Sequence, residues 1–201
     1  MVEVLKDYGI RNPRILAAML KVRRHLYIPE DYRRHGLSYA DQATPIGLGQ
    51  TISQPYIVAY MIEMLDVKPG ESVLEVGAGS GYQAAVLAEM GANVFTVELV
   101  PELAQHAREV LAREGYAGRA RVLTGDGAKG WPEHAPYDAI VGACAATEEP
   151  TGLLAQLKDG GRFVFPVGDI VSQQLVFMRK DQGRITRMMD LPVQFVPLVK
   201  P

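Results

Sequence analysis

Short runs rich in apolar and β-branched residues recur along this chain, separated by longer segments with helical spacing. The runs at 73–76, 92–98, 120–123, 137–142 and 162–167 are typical of strands buried on both faces of a parallel sheet. Between them, apolar residues recur every three or four positions, which predicts amphipathic helices. The predicted helices are one that begins at Pro13 and others at 55–65, 82–90, 101–115 and 148–157.

The alternation of strands and helices predicts an α/β fold with a doubly wound, mostly parallel, Rossmann-like sheet. Residues 173–179 and 184–189 are separated by Asp181-Gln182-Gly183 and predict a hairpin. This hairpin gives the sheet an antiparallel edge. The helix at Pro13 precedes the first strand of the sheet, so we expect it to form an N-terminal helical extension.

The composition fits one globular domain and argues against several other classes of protein. With 201 residues, of which 48% are hydrophobic, the chain can bury a sizeable core. Its net charge of −2 argues against a protein that mainly binds nucleic acid or an anionic membrane. Cys144 is the single cysteine, and no apolar run approaches the ~18 residues that span a membrane. The N-terminus lacks the pattern of a signal peptide, and we expect a soluble, cytoplasmic monomer.

A glycine-rich turn joins the run 73–76 to the helix predicted at 82–90. Gly77, Gly79 and Gly81 alternate with small residues, and glycine allows positive φ and a close approach of the backbone to a ligand. The following helix N-terminus offers free N–H groups. Glu98 ends the next strand, at the distance where an acid bonds ribose hydroxyls. Together these features predict a nucleotide-type cofactor site at the carboxyl ends of the strands.

The spacing of the glycines discriminates between cofactors. The dinucleotide fingerprint G-x-G-x-x-G requires its third glycine where Tyr82 stands, which disfavours an NAD-dependent dehydrogenase. The pattern G-x-G-x-G instead resembles the S-adenosyl-L-methionine (AdoMet) site of class I methyltransferases. Asp126 follows the run 120–123 and is either a turn residue or a hydrogen-bond partner of the adenine amino group.

Other chemistry is weakly indicated. No histidine is placed to activate Cys144, and His25, His35, His106 and His134 show no metal-ligand spacing. Neither a phosphate-binding P-loop nor a G-x-S-x-G nucleophile elbow is present. The N-terminal part carries a basic cluster that we interpret as a solvated face rather than an anion site. Its members are Lys21, Arg23, Arg24, His25, Arg33 and Arg34.

The segment 37–54 has no clear periodicity, although its Ile, Leu, Gly and Gln residues are not typical of disorder. A long irregular segment inside a compact domain is often functional. Ser53 lies just ahead of the helix predicted at 55–65, which begins with Pro55. From composition alone, a helix-capping role is the favoured interpretation of Ser53.

Six motifs resemble, in order along nearly the whole chain, the protein-L-isoaspartate O-methyltransferase family. They are TPIGLGQTISQPY at 44–56, LEVGAGSGY at 74–82, GDG at 125–127, APYDAI at 135–140, LKDGGR at 157–162 and FVPLV at 195–199. The first motif is specific to this family, whereas the glycine loop is shared by many AdoMet enzymes. The chain departs from the family's pattern at two places. Ala78 stands where Thr or Ser is common, and the run 142–146 replaces an alanine- and proline-rich run.

The resemblance implies a repair enzyme. Such enzymes transfer the methyl group of AdoMet to the free α-carboxylate of an L-isoaspartyl residue in damaged proteins and peptides. The products are a methyl ester and S-adenosyl-L-homocysteine, and the ester collapses to a succinimide that partly reopens to aspartate. No metal is implied. The division of the single domain becomes 1–54 (N-terminal helix and active-site loop), 55–167 (cofactor-binding core) and 168–201 (hairpin and substrate-side tail).

The resemblance also assigns the site residues and reverses the capping interpretation of Ser53, which becomes the active-site serine. The expected cofactor-binding residues are Glu75, Gly77, Ala78, Gly79, Ser80, Gly81, Glu98, Leu99, Gly125, Asp126 and Gly127. The expected substrate-binding residues are Thr51, Ile52, Ser53, Val196, Pro197 and Leu198. The alternative is an AdoMet-dependent methyltransferase that acts on a small molecule or RNA, which would leave Thr51-Ile52-Ser53 unexplained. Acceptance of D-aspartyl residues stays open.

Overall fold

The computed structural model describes residues 1–33 and 36–199 and contains six α-helices and nine strands in this part of the chain. The helices are α1 (Val2–Asp7), α2 (Pro13–Lys21), α3 (Pro55–Leu65), α4 (Tyr82–Glu89), α5 (Pro101–Arg113) and α6 (Thr151–Ala155). The strands are β1 (Thr44–Gly47), β2 (Gln50–Ile52), β3 (Ser72–Val76), β4 (Asn93–Glu98), β5 (Ala120–Thr124), β6 (Tyr137–Gly142), β7 (Leu157–Gly168), β8 (Gln173–Asp181) and β9 (Arg184–Val193).

Seven of these strands form one twisted sheet in the order β5-β4-β3-β6-β7-β8-β9. The five strands from β5 to β7 are parallel to their neighbours, and β8 and β9 add the antiparallel edge. The predicted Rossmann-like, mostly parallel sheet with an antiparallel edge is confirmed. The order changes direction at β3, from which the chain moves first to β4 and β5 and later to β6. A ligand crevice is expected at such a switch point.

The sheet separates two apolar layers, because successive side chains of a strand point to opposite faces. Val73 on β3 belongs to the layer that contains helices α2, α3 and α4, whereas Leu74 belongs to the layer that contains Phe163 and Phe165. Both residues are fully buried. Burial on both faces explains why the parallel strands appear in the sequence as continuous apolar runs.

Two elements differ from the expectation. The helix expected at 148–157 is the short α6, and β7 begins at Leu157 rather than at 162. Leu157 is buried and pairs with Tyr137 of β6, with a register shift that accommodates the residues after it. This strand pairing overrides the local helical pattern. The helix α1 was not anticipated, because its six residues are too few to give a periodic signal.

The segment 37–54 is also more regular than its sequence suggests. Residues 44–52 form an antiparallel hairpin of β1 and β2, with Leu48 and Gly49 at positive φ in the turn. The strands have only four and three residues, which is too short for alternation to be visible. The hairpin buries Ile46 and Ile52 and delivers the chain to Ser53.

The basic cluster is not uniformly solvated. Arg24 is fully buried, and its guanidinium carbon lies 4.9 Å from the ring centroid of Tyr82. Lys21 and Arg23 do reach solvent, where they pair with acids of the helical layer. The interpretation of a solvated face is therefore wrong for Arg24, because the 3₁₀ turn that carries it is folded under residues 36–41. Arg34 and His35 lie outside the described residues.

Candidate active site

A cleft opens at the carboxyl ends of β3, β4 and β6. Fourteen of the residues expected from the sequence line it. They are Thr51, Ile52, Ser53, Glu75, Gly77, Ala78, Gly79, Ser80, Glu98, Leu99, Gly127, Val196, Pro197 and Leu198. Segments far apart in the chain thus meet around one space, between the sheet edge, the β1–β2 hairpin and the tail.

The glycine turn after β3 has the backbone that its sequence predicts. Gly77, Gly79 and Gly81 have φ of 91°, 49° and 83°, a region that residues with a Cβ rarely adopt. A Cβ at Gly79 would meet Ile46 of the hairpin at 3.6 Å. Gly81 does not line the cleft; a Cβ there would lie 3.3 Å from Ala107 of α5. Its glycine is therefore needed for the turn and for packing.

Glu98 is buried and holds the glycine turn from the side. One carboxylate oxygen accepts a hydrogen bond from the Gly79 N–H at 2.8 Å, and the other accepts one from the Val100 N–H at 3.0 Å. A carboxylate oxygen has a second lone pair, so Glu98 can still accept bonds from ribose hydroxyls in the cleft. Its position at the end of β4 is the one that the sequence predicts.

Glu75 is the most unusual group in the cleft. Its side chain is fully buried, and neither carboxylate oxygen has a hydrogen-bond partner among residues 1–33 and 36–199. The pKa of Glu75 is raised to about 8, chiefly by burial and also by the nearby Glu98 carboxylate, against a smaller lowering contribution from the Thr96 side chain. Such a carboxylate requires a donor or a cation. The expected contact of Glu75 with AdoMet, whose sulfonium and ammonium groups are cationic, stays a prediction.

Asp126 and Gly125 lie beside the cleft rather than in its lining. The Asp126 carboxylate accepts a hydrogen bond from the Ala128 N–H at 2.9 Å and so caps a short 3₁₀ turn. Gly125 donates its N–H to the Glu98 carbonyl at 2.8 Å. The turn role of Asp126 is thus present, and its contact with adenine stays a prediction.

Ser53 lies where the cofactor cleft meets a second groove. That groove is bordered by the start of α3, by Ile170 and by residues 192–197. The N-cap of α3 is Gln54, and the Tyr56 N–H at the start of the helix is bonded to Asp41 rather than to Ser53. The capping interpretation of Ser53 therefore does not describe this structure. Ser53 therefore belongs to the lining of both the cleft and the groove.

The tail is fastened to the sheet beside these two spaces. Val196 and Leu198 pair with Ala145, through hydrogen bonds of 2.8 and 2.7 Å. The buried side chain of Gln173 bonds to both backbone groups of Phe195, at 2.6 and 3.1 Å. This clamp keeps the expected substrate-binding residues Val196, Pro197 and Leu198 at the edge of the cleft.

Cys144 also lines the cleft but is chemically inert. Burial raises the pKa of its thiol to about 12, and the charges of Glu98 and Glu75 add to the effect. Its Sγ lies 3.7 Å from the Val76 carbonyl. The expectation that Cys144 is no nucleophile agrees with this environment.

The site residues expected from the sequence leave out several others that line the cleft. These others are Gln50, Val58, Val76, Tyr82, Gln83, Val97, Val100, Ala143, Cys144 and Val199. Most are apolar and therefore indistinguishable from core residues in the sequence. Within the described chain, no group of three His, Cys, Asp or Glu side chains could hold a metal ion.

Gly127 offers a direct test of the cleft wall. A Cβ at this position would lie 2.7 Å from Val76 Cγ1 and 3.5 Å from Leu198 Cδ1. Valine is stiff at χ1, so Gly127→Ala must shift the end of β3 or the tail, at a typical cost of about 1–3 kcal/mol. We expect AdoMet affinity to fall about tenfold and Tm to drop, measured by calorimetry.

Gly118→Ala is the matched control, because its Cβ would meet no atom within 4 Å and its φ is not positive. Unchanged AdoMet affinity in Gly127→Ala would show that the cofactor does not use this wall.

The sheet, the glycine turn after its first parallel strand and the acid at the end of the next define a class I AdoMet-dependent methyltransferase. The family is shown by comparison: the sequence model of "Protein-L-isoaspartate(D-aspartate) O-methyltransferase (PCMT)" matches residues 1–201. The chain belongs to this family.

Individual relatives agree with that assignment. A protein-L-isoaspartate O-methyltransferase of Gloeobacter violaceus is 50% identical over 199 residues, which cover 98% of this chain and 96% of that protein. A solved protein-L-isoaspartate O-methyltransferase has a TM-score of 0.89 at 27% identity, covering 99% of this chain and 65% of that chain. A solved structure from Plasmodium falciparum, named for the same activity, contains S-adenosyl-L-homocysteine. It has a TM-score of 0.85 at 28% identity and covers 100% of this chain and 97% of that chain.

Proposed function

We propose that this methyltransferase repairs proteins by methylating the free α-carboxylate of L-isoaspartyl residues, yielding a methyl ester and S-adenosyl-L-homocysteine. The observation that carries the proposal is the position of Ser53, which lines both the cofactor cleft and the adjoining groove. A methyl acceptor bound in the groove can reach the cofactor there. Family membership supports the same reaction.

The cofactor cleft supplies binding groups of the required kinds. Glu75 offers an unpaired carboxylate to a cationic ligand, and Glu98 offers lone pairs to a ribose. Gly77 and Gly79 leave room for the ligand against the turn. When bound, AdoMet supplies a methyl group on a sulfonium, which an oxygen nucleophile displaces in line. The residues of this chain hold the two partners and exclude water.

The chemistry needs no general base. An α-carboxylate has a pKa near ~3.5 and is ionised at neutral pH, so its oxygen is already a nucleophile. The Ser53 hydroxyl can donate one hydrogen bond that orients this carboxylate toward the cleft. A neutral donor is suited to the task, because a cation would stabilise the charged reactant more than the transition state, in which the charge is partly neutralised. Thr51, Ile52 and the tail residues 196–198 complete the proposed substrate side.

We extend the proposal to the localisation, the oligomeric state and the partners of the enzyme. The net charge of −2 and a cleft complete within one chain support a cytoplasmic monomer that acts on isoaspartyl proteins and peptides, with neither nucleic acid nor membrane as partner. Among the described residues, no helix is long and apolar enough to cross a membrane. The parts 1–54, 55–167 and 168–201 supply, respectively, the serine, the cofactor core and the substrate-side tail.

Two peptides of identical sequence test the reaction, one with L-isoaspartate and one with L-aspartate at the same position. Each is incubated with methyl-labelled AdoMet, and base-labile label is counted. We expect label on the isoaspartyl peptide only, because only there does the main chain run through the methylene and leave a free α-carboxylate on Cα. A third peptide, with D-aspartate at the same position, tests whether the enzyme also accepts D-aspartyl residues. Label on none of the peptides, with AdoMet binding intact, would favour a small molecule or RNA as acceptor.

A further inference from the structure

Helix α3 begins two residues after Ser53, and the side chain of its own N-cap residue does not cap it. Gln54 is the N-cap residue, and its side chain makes no capping hydrogen bond. Pro55 follows and has no N–H, so Tyr56 carries the first N–H group that requires a partner. That partner comes from elsewhere in the chain: Asp41 Oδ1 accepts a hydrogen bond from the Tyr56 N–H at 2.8 Å.

The second oxygen of Asp41 is also used at this point. Asp41 Oδ2 accepts a hydrogen bond from Gln54 Nε2 at 2.7 Å. The Asp41 carboxylate therefore holds both the Gln54 side chain, next to Ser53, and the Tyr56 backbone, three residues after Ser53. This double contact restricts the path of the chain at Ser53, which itself lies between the hairpin and the helix.

The segment just before Asp41 is tied to the wall of the cofactor cleft. The Ser38 carbonyl accepts a hydrogen bond from Arg24 Nε at 3.0 Å, and Arg24 stacks on Tyr82. Tyr82 is the first residue of α4 and lines the cleft directly after the glycine turn. These contacts tie Ser38, three residues before Asp41, to the first residue of α4, while Asp41 holds residues 54–56.

We infer that Asp41 is the positioning residue for Ser53. Its carboxylate fixes the start of α3 so that the Ser53 hydroxyl is directed at the junction of the cleft and the groove. The inference rests on the proposed role of Ser53 in methyl transfer. A misplacement of about 1 Å at a reacting group can cost on the order of 100-fold in rate, so a single anchoring carboxylate can control the reaction without touching a substrate.

A purely structural cap is the competing explanation, and it has a different signature. A capping residue stabilises a helix by about 1 kcal/mol. Its loss would lower Tm without changing the rate at saturating substrates. A positioning residue changes kcat. Asparagine caps helices about as well as aspartate, so Asp41→Asn keeps an acceptor for the Tyr56 N–H, and its Gln54 contact can be restored by rotation of the amide.

The test compares the full-length variants Asp41→Ala and Asp41→Asn with Asp31→Ala, which removes an exposed acid of the same N-terminal segment. With an isoaspartyl peptide and AdoMet both saturating, we expect Asp41→Ala to lower kcat about 10- to 30-fold. AdoMet affinity should stay within about twofold, Asp41→Asn should recover kcat to within about threefold, and Asp31→Ala should match the parent protein.

Either of two results would overturn the inference. Asp41→Ala could lose Tm but keep kcat, which would leave only a cap, or it could lose AdoMet affinity and kcat equally, which would indicate a general structural defect. Crystal structures of both variants measure positioning without any activity. Displacement of Ser53 in Asp41→Ala but not in Asp41→Asn supports the inference even if the parent protein fails to methylate the peptide, a failure that would count against the proposed function alone.

Discussion

Ser53→Ala is expected to lower the rate of methyl transfer to an isoaspartyl peptide about 10- to 100-fold while AdoMet affinity changes less than about twofold. The hydroxyl lies at the junction of the two spaces and is not used as a helix cap. Its removal deletes an orienting donor without disturbing the glycine turn. The expected loss is smaller than for an oxyanion hole, because the acceptor carboxylate loses charge on the way to the transition state.

Single-turnover kinetics with labelled AdoMet, together with calorimetric titration of S-adenosyl-L-homocysteine, measure the two effects separately. Ser72→Ala is the control, because Ser72 begins β3 at the end of the strand away from the cleft. Equal losses of rate and cofactor affinity in Ser53→Ala would mean that Ser53 mainly supports the local structure. An undiminished rate would mean that another group orients the carboxylate.

The second large effect concerns Glu75 and pH. In the free protein, burial raises the pKa of Glu75 to about 8, so the side chain is mostly neutral at pH 7. A cationic ligand favours the ionised form, and binding should therefore release a proton. We expect AdoMet affinity to rise about tenfold between pH 6 and pH 7.5. The α-amino group of the ligand, with a pKa near ~7.7, loses part of its proton at the upper end of this window, and that loss opposes the rise in affinity.

Glu75→Gln should remove this dependence. We expect its AdoMet affinity to be at least about tenfold lower at pH 7.5 and nearly constant from pH 6. Calorimetry in two buffers of different ionisation enthalpy counts the released protons directly. Glu71→Gln is the control, because Glu71 pairs with Arg162 away from the cleft. The substitution Gln83→Glu would not serve, because Gln83 also lines the cleft. Proton release that persists in Glu75→Gln would assign the effect to another group.

The same group makes stability depend on pH with a definite sign. The unfolded pKa of a glutamate is near ~4.3, below the folded value of about 8. Between these values the folded protein binds more protons, so its stability falls as pH rises and levels off above about 8. Without ligand, Glu75→Gln should gain about 2 kcal/mol over the parent between pH 6 and pH 8, or roughly 4–8 °C in Tm. A constant difference in Tm across this range would contradict the assignment.

Several features of the structure follow from neighbouring residues and could be predicted. Pro55 opens α3 at the expected residue, and the glycine turn adopts the positive φ values that its glycines allow. The parallel strands were visible because burial on both faces produces apolar runs. By contrast, β7 begins earlier than expected, because Leu157 gains more from pairing with β6 than from extending α6.

The residues of the candidate site likewise differ in whether the neighbouring sequence could predict their role. Glu98 was identified from its distance along the chain, and the structure places it on the glycine turn. For Ser53, local composition favoured a cap, and the family resemblance reversed that interpretation. Asp41 went unnoticed because its partners are 13 and 15 residues away and nothing in its sequence neighbourhood marks them. Arg24 was misjudged because its burial depends on segments that fold over it.

The class of sheet, the glycine turn, the acid of β4 and the family could be predicted from the amino-acid sequence, since these depend on local backbone preference and on motifs of adjacent residues. The group that caps α3, the raised pKa of Glu75 and the position of Ser53 between the cleft and the groove became visible in the folded chain. Those properties depend on burial and on contacts between distant segments, which are fixed only when the whole chain packs.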